Sequence, residues 1–427
     1  MSSGRILLVS HNFPPTAGPE SHLTRMNVAS LNHMGWDVRV LTTTALHLSQ
    51  PLDDTLLERV PPGLEIERVA SPEAVFASRF PRYGKALARW TGRNLLPEEF
   101  FPWSFPATKR GRDLIASWRP DVIYSRATKH VSNVVGWRLK HATGLPWVAH
   151  FSDPWIRGGR YHRPIQRFSG AFWERRILRD ADALVFVTRQ AADRVLAGLP
   201  DDFSERVNII PHGFEDIDPT LLEPNIDDAK RTAPGRLKII HAGAFYPSMR
   251  GPETLIEAIR RLKRRHAAEE LPEIECIGVD TVDFQPLVDA AGVGDVLRLH
   301  SAVPFEECQR RIAQSDAILV LDTPGSGGIF LPTKLVEAFA FGKPVLGLCD
   351  PESAMASILG DAEQSWADAR DPDAIAMELG KLMQWWRQGD RHLPTSALQK
   401  LQRFRIDRVN EPLFELFERL ANDRSRE

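Results

Sequence analysis

The sequence predicts an α/β protein of two tandem Rossmann-like domains facing each other across a cleft. Three observations predict it. The chain has 427 residues, a length that suits two large domains. Short runs rich in Val, Ile and Leu alternate with helical stretches, pause in a Pro-, Gly- and acid-rich segment, and then start again. Buried strands read as such continuous apolar runs when helices cover both faces of a parallel sheet. The third observation is charge: residues 1–215 carry a net +7 and the remainder −9, although the whole chain sums to only −2. Two halves of opposite sign are expected of two domains that meet different partners.

The first-half strands are expected at Arg5–Ser10, Asp37–Thr43, Asp121–Ser125, Trp147–Phe151, Ala183–Thr188 and Val207–Pro211. After the first strand, apolar positions Leu23, Met26 and Met34 mark a helix that Gly35 stops. Domain boundaries follow: 1–215 for the first domain, 216–235 for the linker and 236–395 for the second domain, with 396–427 as C-terminal helices able to pack back on the first. In the second half, strands Leu237–Ala242, Ile274–Val279, Val296–His300, Ala317–Asp322 and Pro344–Cys349 alternate with helices Pro252–Ala268, Phe284–Ala291, Pro304–Gln314, Thr333–Phe341 and Ser353–Leu359. Asp371–Arg387 and Glu411–Arg424 read as further helices. In such sheets ligands bind beyond the carboxyl ends of the strands.

Composition narrows the function classes. Three cysteines, Cys276, Cys308 and Cys349, stand in no metal-ligand spacing, so neither a disulfide framework nor a zinc site is expected, and a reducing, cytoplasmic compartment fits. No signal-peptide core follows Met1, and no apolar run approaches a spanning helix. The near-neutral total and the lack of a nucleic-acid-binding motif argue against a nucleic-acid partner.

The loops after strands carry the candidate chemistry. The first strand runs into His11-Asn12-Phe13-Pro14-Pro15-Thr16-Ala17-Gly18-Pro19-Glu20, where Gly18 at a helix start lets backbone approach an anion or a sugar hydroxyl. It is not a GxGxxG dinucleotide fingerprint. Asp153 directly follows a buried strand, where it can orient a substrate hydroxyl or cap the next segment; the preceding His150 reads as a core histidine. In the second half, Gly243 opens a loop that ends at Arg250 and Gly251 before a helix, a plausible arrangement for phosphate. The richest segment runs from Asp322 to Val345. Gly325, Gly327 and Gly328 allow close backbone approach, and Thr333 can cap a helix in which Lys334 and Glu337 share a face. There Glu337 could accept two hydroxyls from a ribose. The plainer reading of Lys334 and Glu337 is a surface ion pair.

That segment resembles the nucleotide-sugar site of GT-B fold glycosyltransferases, above all family 4. Pro-x-Lys-x-x-Glu-x-x-Ala-x-Gly-Lys-Pro-Val is matched from Pro332 to Val345. Phe13-Pro14-Pro15 with Gly18 and Glu20 resembles the family's Pro-Pro…Gly-Gly-x-Glu loop. Ile210-Pro211-His212-Gly213-Phe214 resembles its turn before the interdomain linker. Gly243 to Gly251 followed by Leu255-Ile256-Glu257-Ala258 resembles its Gly-Arg-Leu…Lys-Gly…Leu-Ile-Glu-Ala run. Each motif is loose, and the four in order are specific.

The resemblance implies a retaining hexosyltransferase that moves a sugar from a nucleotide-diphosphate sugar, such as a UDP-sugar, to an acceptor hydroxyl without a metal or other cofactor. It puts the donor mainly on the second domain and the acceptor mainly on the first. It assigns the ribose to Glu337, the diphosphate to Thr333, Lys334 and Arg250, and contacts near the reacting carbon to Gly18 and Asp153. The chain departs from the pattern at Ile329, where many members carry a second glutamate, which shifts the sugar contacts to Gly327 and Gly328 backbone. It departs again at Ala244, where an arginine is usual. A nucleotide-sugar epimerase and a non-catalytic nucleotide-sugar-binding protein are the alternatives.

The positive excess of the first half sits in residues 79–112 and 157–179, each with a net +6. Arg82, Lys85, Arg89 and Arg93 fall on one helical arc beside Phe80, Tyr83, Leu87 and Trp90, and Phe100, Phe101, Trp103 and Phe105 follow. This is the pattern of an interfacial membrane segment, or equally of a helix packed on its own domain with a solvated basic face. With it the expectation becomes a lipid-linked acceptor in polysaccharide or glycolipid assembly, and a protein peripheral on an anionic membrane surface. The stretch 157–179 could hold a pyrophosphate-linked acceptor or the donor diphosphate.

Overall fold

The computed structural model describes residues 4–44, 52–80, 83–157, 163–199, 202–218, 220, 235–246, 250–389 and 393–424, without the side chains of Lys85, Ala88, Arg89 and Arg93. The chain divides into two compact units, one comprising 1–212 with 406–427, the other 213–405. Most of the segment expected as a linker, 219 and 221–234, lies outside the described residues.

The first unit holds a seven-stranded parallel sheet. Its strands are β1 (Gly4–Ser10), β2 (Trp36–Thr43), β3 (Glu65–Val69), β4 (Val122–Ala127), β5 (Trp147–Phe151), β6 (Ala183–Phe186) and β7 (Val207–Ile209), ordered β3-β2-β1-β4-β5-β6-β7. Strand periodicity divides β1 between two cores: Ile6 and Leu8 face one and Leu7 and Val9 the other, and none of the four is exposed. That double burial is why β1 reads as an unbroken apolar run. The helix Ile406–Arg424 closes the Ile6 face. Val409, Leu413, Phe414 and Phe417 enter that core, with Phe417 edge-on to Trp36 and Tyr124 at 5.9 and 5.2 Å.

The second unit holds a six-stranded parallel sheet: β8 (Lys238–Ala242), β9 (Glu273–Ile277), β10 (Leu297–His300), β11 (Ala317–Leu321), β12 (Val345–Cys349) and β13 (Ser365–Asp368), ordered β10-β9-β8-β11-β12-β13. Both sheets are Rossmann-like, and in both the strand order reverses beside the first strand, between β1 and β4 and between β8 and β11. Those reversals are where this fold places ligands.

Two strands escaped the sequence reading. β3, Glu-Ile-Glu-Arg-Val, is an edge strand whose residues are half-buried or exposed, so its polar alternation hides it. β13, Ser-Trp-Ala-Asp, is a short edge strand on the other sheet. The helix expected at Thr333–Phe341 ends at Phe339, and Thr333 is its first helical residue; Pro332 holds the cap position with no side-chain cap bond, which corrects the capping role expected of Thr333.

Candidate functional site

At the strand reversal of the first unit, three strand ends converge on a buried ion pair. Pro19–His33 is the helix that follows β1, and Gly18 is its cap at φ 139°, a backbone conformation open to glycine. Two residues on, Glu20 accepts from Arg126 Nε of β4 at 3.2 Å, with both side chains almost wholly excluded from water. Ser152 Oγ, just past β5, donates to the other Glu20 oxygen at 2.8 Å. A second Arg126 nitrogen meets the Tyr124 hydroxyl at 3.3 Å. Burial pushes the Glu20 carboxyl above its usual range, although the Arg126 charge works against this. His150 and His212 are buried nearby, and burial together with the Arg126 charge lowers both; His212 falls to about 3.

Asp153 follows Ser152, is half-buried, and is close enough for its charge to raise Glu20 further. The Glu20 carboxylate therefore joins the loop that carries Gly18 to the loop that carries Asp153. Sequence reasoning named Gly18 and Asp153 but missed Arg126 and Ser152 as the groups holding them. The available signal was an arginine inside the run Val-Ile-Tyr-Ser-Arg-Ala, since a charge in a buried strand needs a partner.

In the second unit the predicted donor residues lie on the loops that follow β8 and β11 and on the helix after the second of these loops. Lys334 Nζ donates to Glu337 Oε2 at 2.8 Å on the helix Thr333–Phe339. Burial disfavours the Lys334 charge, but the Glu337 carboxylate outweighs it and holds the ammonium above its usual range. Leu335, Val336, Ala338 and Phe339 bury the other side of this helix, leaving the Lys334–Glu337 face half-open. The Gly-rich loop is fixed from below: Gly325 N donates to Asp350 Oδ2 at 2.8 Å, and a Cβ on Gly328 would lie 2.5 Å from Ser353 Cα. Gly327 and Gly328 both have left-handed backbone, at φ 70° and 68°. Ile329, in the position of the family's second glutamate, is buried.

Arg250 differs from the sequence expectation of a cation turned to phosphate. Two of its nitrogens donate to the Leu321 and Ala244 carbonyls, each at 3.0 Å, and it lies 5.1 Å from the Tyr246 ring. It fastens the end of β11 to the loop after β8 and lines a pocket of about 300 Å3 with Thr254, Asp322, Pro324 and Arg370. Burial raises the Asp322 carboxyl to about 6. Sequence reasoning also missed His241. Its Nδ1 bonds the Leu319 carbonyl at 2.9 Å, burial lowers it to about 4, and a Cβ at Gly243 would sit 3.1 Å from its Nε2. Gly243 thus leaves room for a neutral imidazole at the strand end. No cluster able to hold a metal ion occurs among the described residues.

Of the basic helix residues, Arg82 lies outside the described residues, as do the side chains of Lys85, Arg89 and Arg93. Trp90, on the helix Gly84–Leu95, is 56% exposed. Phe100 and Trp103, expected beside it at an interface, are instead buried in the first unit's core, where the Trp103 indole donates to the Val69 carbonyl at 3.1 Å.

Residues 18–213 match the family described as "Glycosyl transferase 4-like domain". The chain is 26% identical over 271 residues to D-inositol 3-phosphate glycosyltransferase of Corynebacterium jeikeium, covering 59% of this chain and 62% of that protein. The Arthrobacter protein of the same name is 25% identical over 59% of this chain and 60% of its own length. The chain thus spans about three fifths of the length of the curated relatives it matches. Sucrose-phosphate synthase from Thermosynechococcus elongatus superposes with a TM-score of 0.69 at 15% identity, over 98% of this chain and 100% of that one. Anabaena HepE in complex with UDP and glucose gives 0.64 at 14% identity, over 97% and 99%. The fold is that of the two-domain GT-B glycosyltransferases, and the family resemblance read from the four motifs is supported.

Proposed function

For a GT-B chain carrying a glycosyl transferase 4-like domain, we propose retaining sugar transfer from a nucleotide-diphosphate sugar to an acceptor hydroxyl. The observation that carries this reading is the Lys334–Glu337 pair, half-open on the helix that follows β11 and its Gly325–Gly328 loop. Glu337 accepts the ribose hydroxyls. Lys334, with Thr333, stabilises the diphosphate as negative charge develops on it. Gly243, Gly327 and Gly328 offer backbone to the phosphates and sugar. Arg250 acts chiefly through the loop it holds.

In the transfer the bond from the anomeric carbon to the diphosphate breaks. The acceptor oxygen forms its bond to that carbon on the same face, and its proton passes to a diphosphate oxygen. Gly18 and Asp153 bear on the sugar near that carbon, held by Glu20 and Ser152. Two relatives named for D-inositol 3-phosphate and a neighbour in complex with UDP and glucose support a hydroxyl acceptor and a UDP-linked donor. We carry the acceptor further, to a lipid-linked sugar in polysaccharide or glycolipid synthesis, reached from the cytoplasmic face of a membrane. No metal enters the reaction.

The test is product analysis with UDP-, GDP- and dTDP-sugars, reading released nucleotide together with the anomeric configuration of the product by NMR. Retention at the anomeric carbon is expected. Inversion contradicts the mechanism, and an epimerised donor formed without acceptor assigns the chain to the epimerases.

A further inference from the structure

The second basic stretch of the sequence belongs to the same surface as the first. Helices Gly84–Leu95 and Pro164–Asp180 lie side by side: the Gln166 amide donates to the Gly92 carbonyl at 3.2 Å, and Arg163 bonds the Asn94 side chain. Each, the first together with its cap residue Tyr83, carries an apolar stripe that faces water. Tyr83, Leu87 and Trp90 form one, at i, i+4 and i+7. Ile165, Phe168 and Phe172 form the other, at i, i+3 and i+7. Phe168 is 80% exposed and Tyr83 67%, whereas Trp103, Trp147 and Trp155 are buried completely. Aromatic side chains left in water on two neighbouring helices form a patch that calls for an occupant.

Charge selects that occupant. Arg163, Arg167 and Arg175 are exposed on or beside the second helix, and the Arg176 guanidinium lies 3.5 Å over the Phe172 ring. Among the described residues the nearby carboxylates are mostly turned inward or already paired, Asp180 with Arg179 at 2.7 Å. Glu174 is buried and accepts from Ile156 N at 3.3 Å, and Glu98 is buried on the backbone N–H groups of His130 and Val131. Glu99 is left half-buried at the edge. Lys85, Arg89 and Arg93 add positive charge to the first helix by sequence. Aromatic anchors interleaved with guanidinium groups, and with the acids withdrawn, match an anionic lipid surface: rings enter the headgroup boundary while cations meet phosphate.

We propose that the paired helices Gly84–Leu95 and Pro164–Asp180 dock the protein on an anionic bilayer, with Ile165, Phe168 and Phe172 as anchors alongside Tyr83, Leu87 and Trp90. This deepens the reading of a lipid-linked acceptor and rests on it for its purpose, while the docking is measured without substrate. The experiment is sedimentation of the full chain with vesicles of phosphatidylcholine alone and with a third of phosphatidylglycerol added, at low and high salt. Wild type should bind the anionic vesicles and be released by salt. Phe168→Ala with Tyr83→Ala should weaken binding about tenfold or more with unchanged melting, because both side chains are exposed; Arg167→Glu with Arg175→Glu should do the same. Failure to bind anionic vesicles at low salt overturns the proposal, as does equal binding by the aromatic variant. So does light scattering that shows the patch joining two copies of the chain. A nucleotide-sugar thermal shift on the same preparations separates failure of docking from failure of the transferase reading.

Discussion

Arg126 and Glu20 each hold the other's charge away from water, and both are tied to the strand ends that present Gly18 and Asp153. Removing one partner leaves an uncompensated buried charge. Glu20→Ala is expected to lower the stability of the first unit by about 3–5 kcal/mol in urea unfolding. The double replacement Glu20→Leu with Arg126→Met should recover most of that loss while leaving transfer impaired, since the loops lose their tie. A single variant as stable as wild type contradicts the assignment. Glu98 supplies a second test at this scale. It is fully buried, and desolvation raises it from 4.5 to about 7 despite two backbone N–H bonds and the Lys129 charge. A carboxyl whose folded value lies above its unfolded one adds stability at low pH, and that contribution is lost as pH rises from about 4.5 to about 7. The loss through Glu98 is on the order of 3 kcal/mol. Glu98→Gln should flatten that part of the stability–pH curve, so parallel wild-type and variant curves between those limits contradict it.

The Gly-rich loop and the helix after it act as one element. Gly328 combines a φ of 68° with a backbone neighbour, Ser353 Cα, that a Cβ would approach to 2.5 Å. Gly328→Ala is therefore expected to displace the loop. The strain is about 1–3 kcal/mol, which should appear as a loss of about tenfold in nucleotide-sugar affinity, read by calorimetry, with only a small drop in melting temperature. Unchanged affinity would separate the loop from the site. The same elements show what the sequence could convey. The apolar strands β1, β4, β5, β11 and β12 are legible because burial on both faces forces an unbroken aliphatic run. The edge strands β3 and β13 are not, because half-exposed residues keep no such signature. The Lys334–Glu337 pairing and the left-handed glycines of the loop before it are legible through spacing. Arg126, Ser152 and His241 are not, because their roles depend on partners distant in sequence that only the fold brings near: Glu20 lies 106 residues from Arg126. Phe100 and Trp103 fit a core and a membrane face equally by sequence, and the fold buries them, whereas the stripe Ile165, Phe168, Phe172 is hidden in sequence by the arginines around it.

Across the whole molecule, the chain leaves its first unit near His212 and returns to it at Ile406, where the last helix covers one face of the seven-stranded sheet. Phe417→Ala, at the centre of that cover, should cost about 3–5 kcal/mol and lower the melting temperature of the first unit; retention of full stability would mean the helix is dispensable. The second unit, built around the β8–β11 reversal, is the side on which we propose the donor binds. The decisive measurement is calorimetric titration of the full chain with the preferred nucleotide sugar, wild type against Glu337→Ala. Among the described residues Glu337 pairs with Lys334 of its own helix and sustains that lysine's charge against burial, so melting of the unliganded variant is recorded alongside to separate lost binding from lost fold. Wild type should bind, and the variant about tenfold or more weakly, with the loss of a charge-assisted ribose contact worth about 1.5–3 kcal/mol. Equal affinity in the two proteins would contradict that placement of the donor.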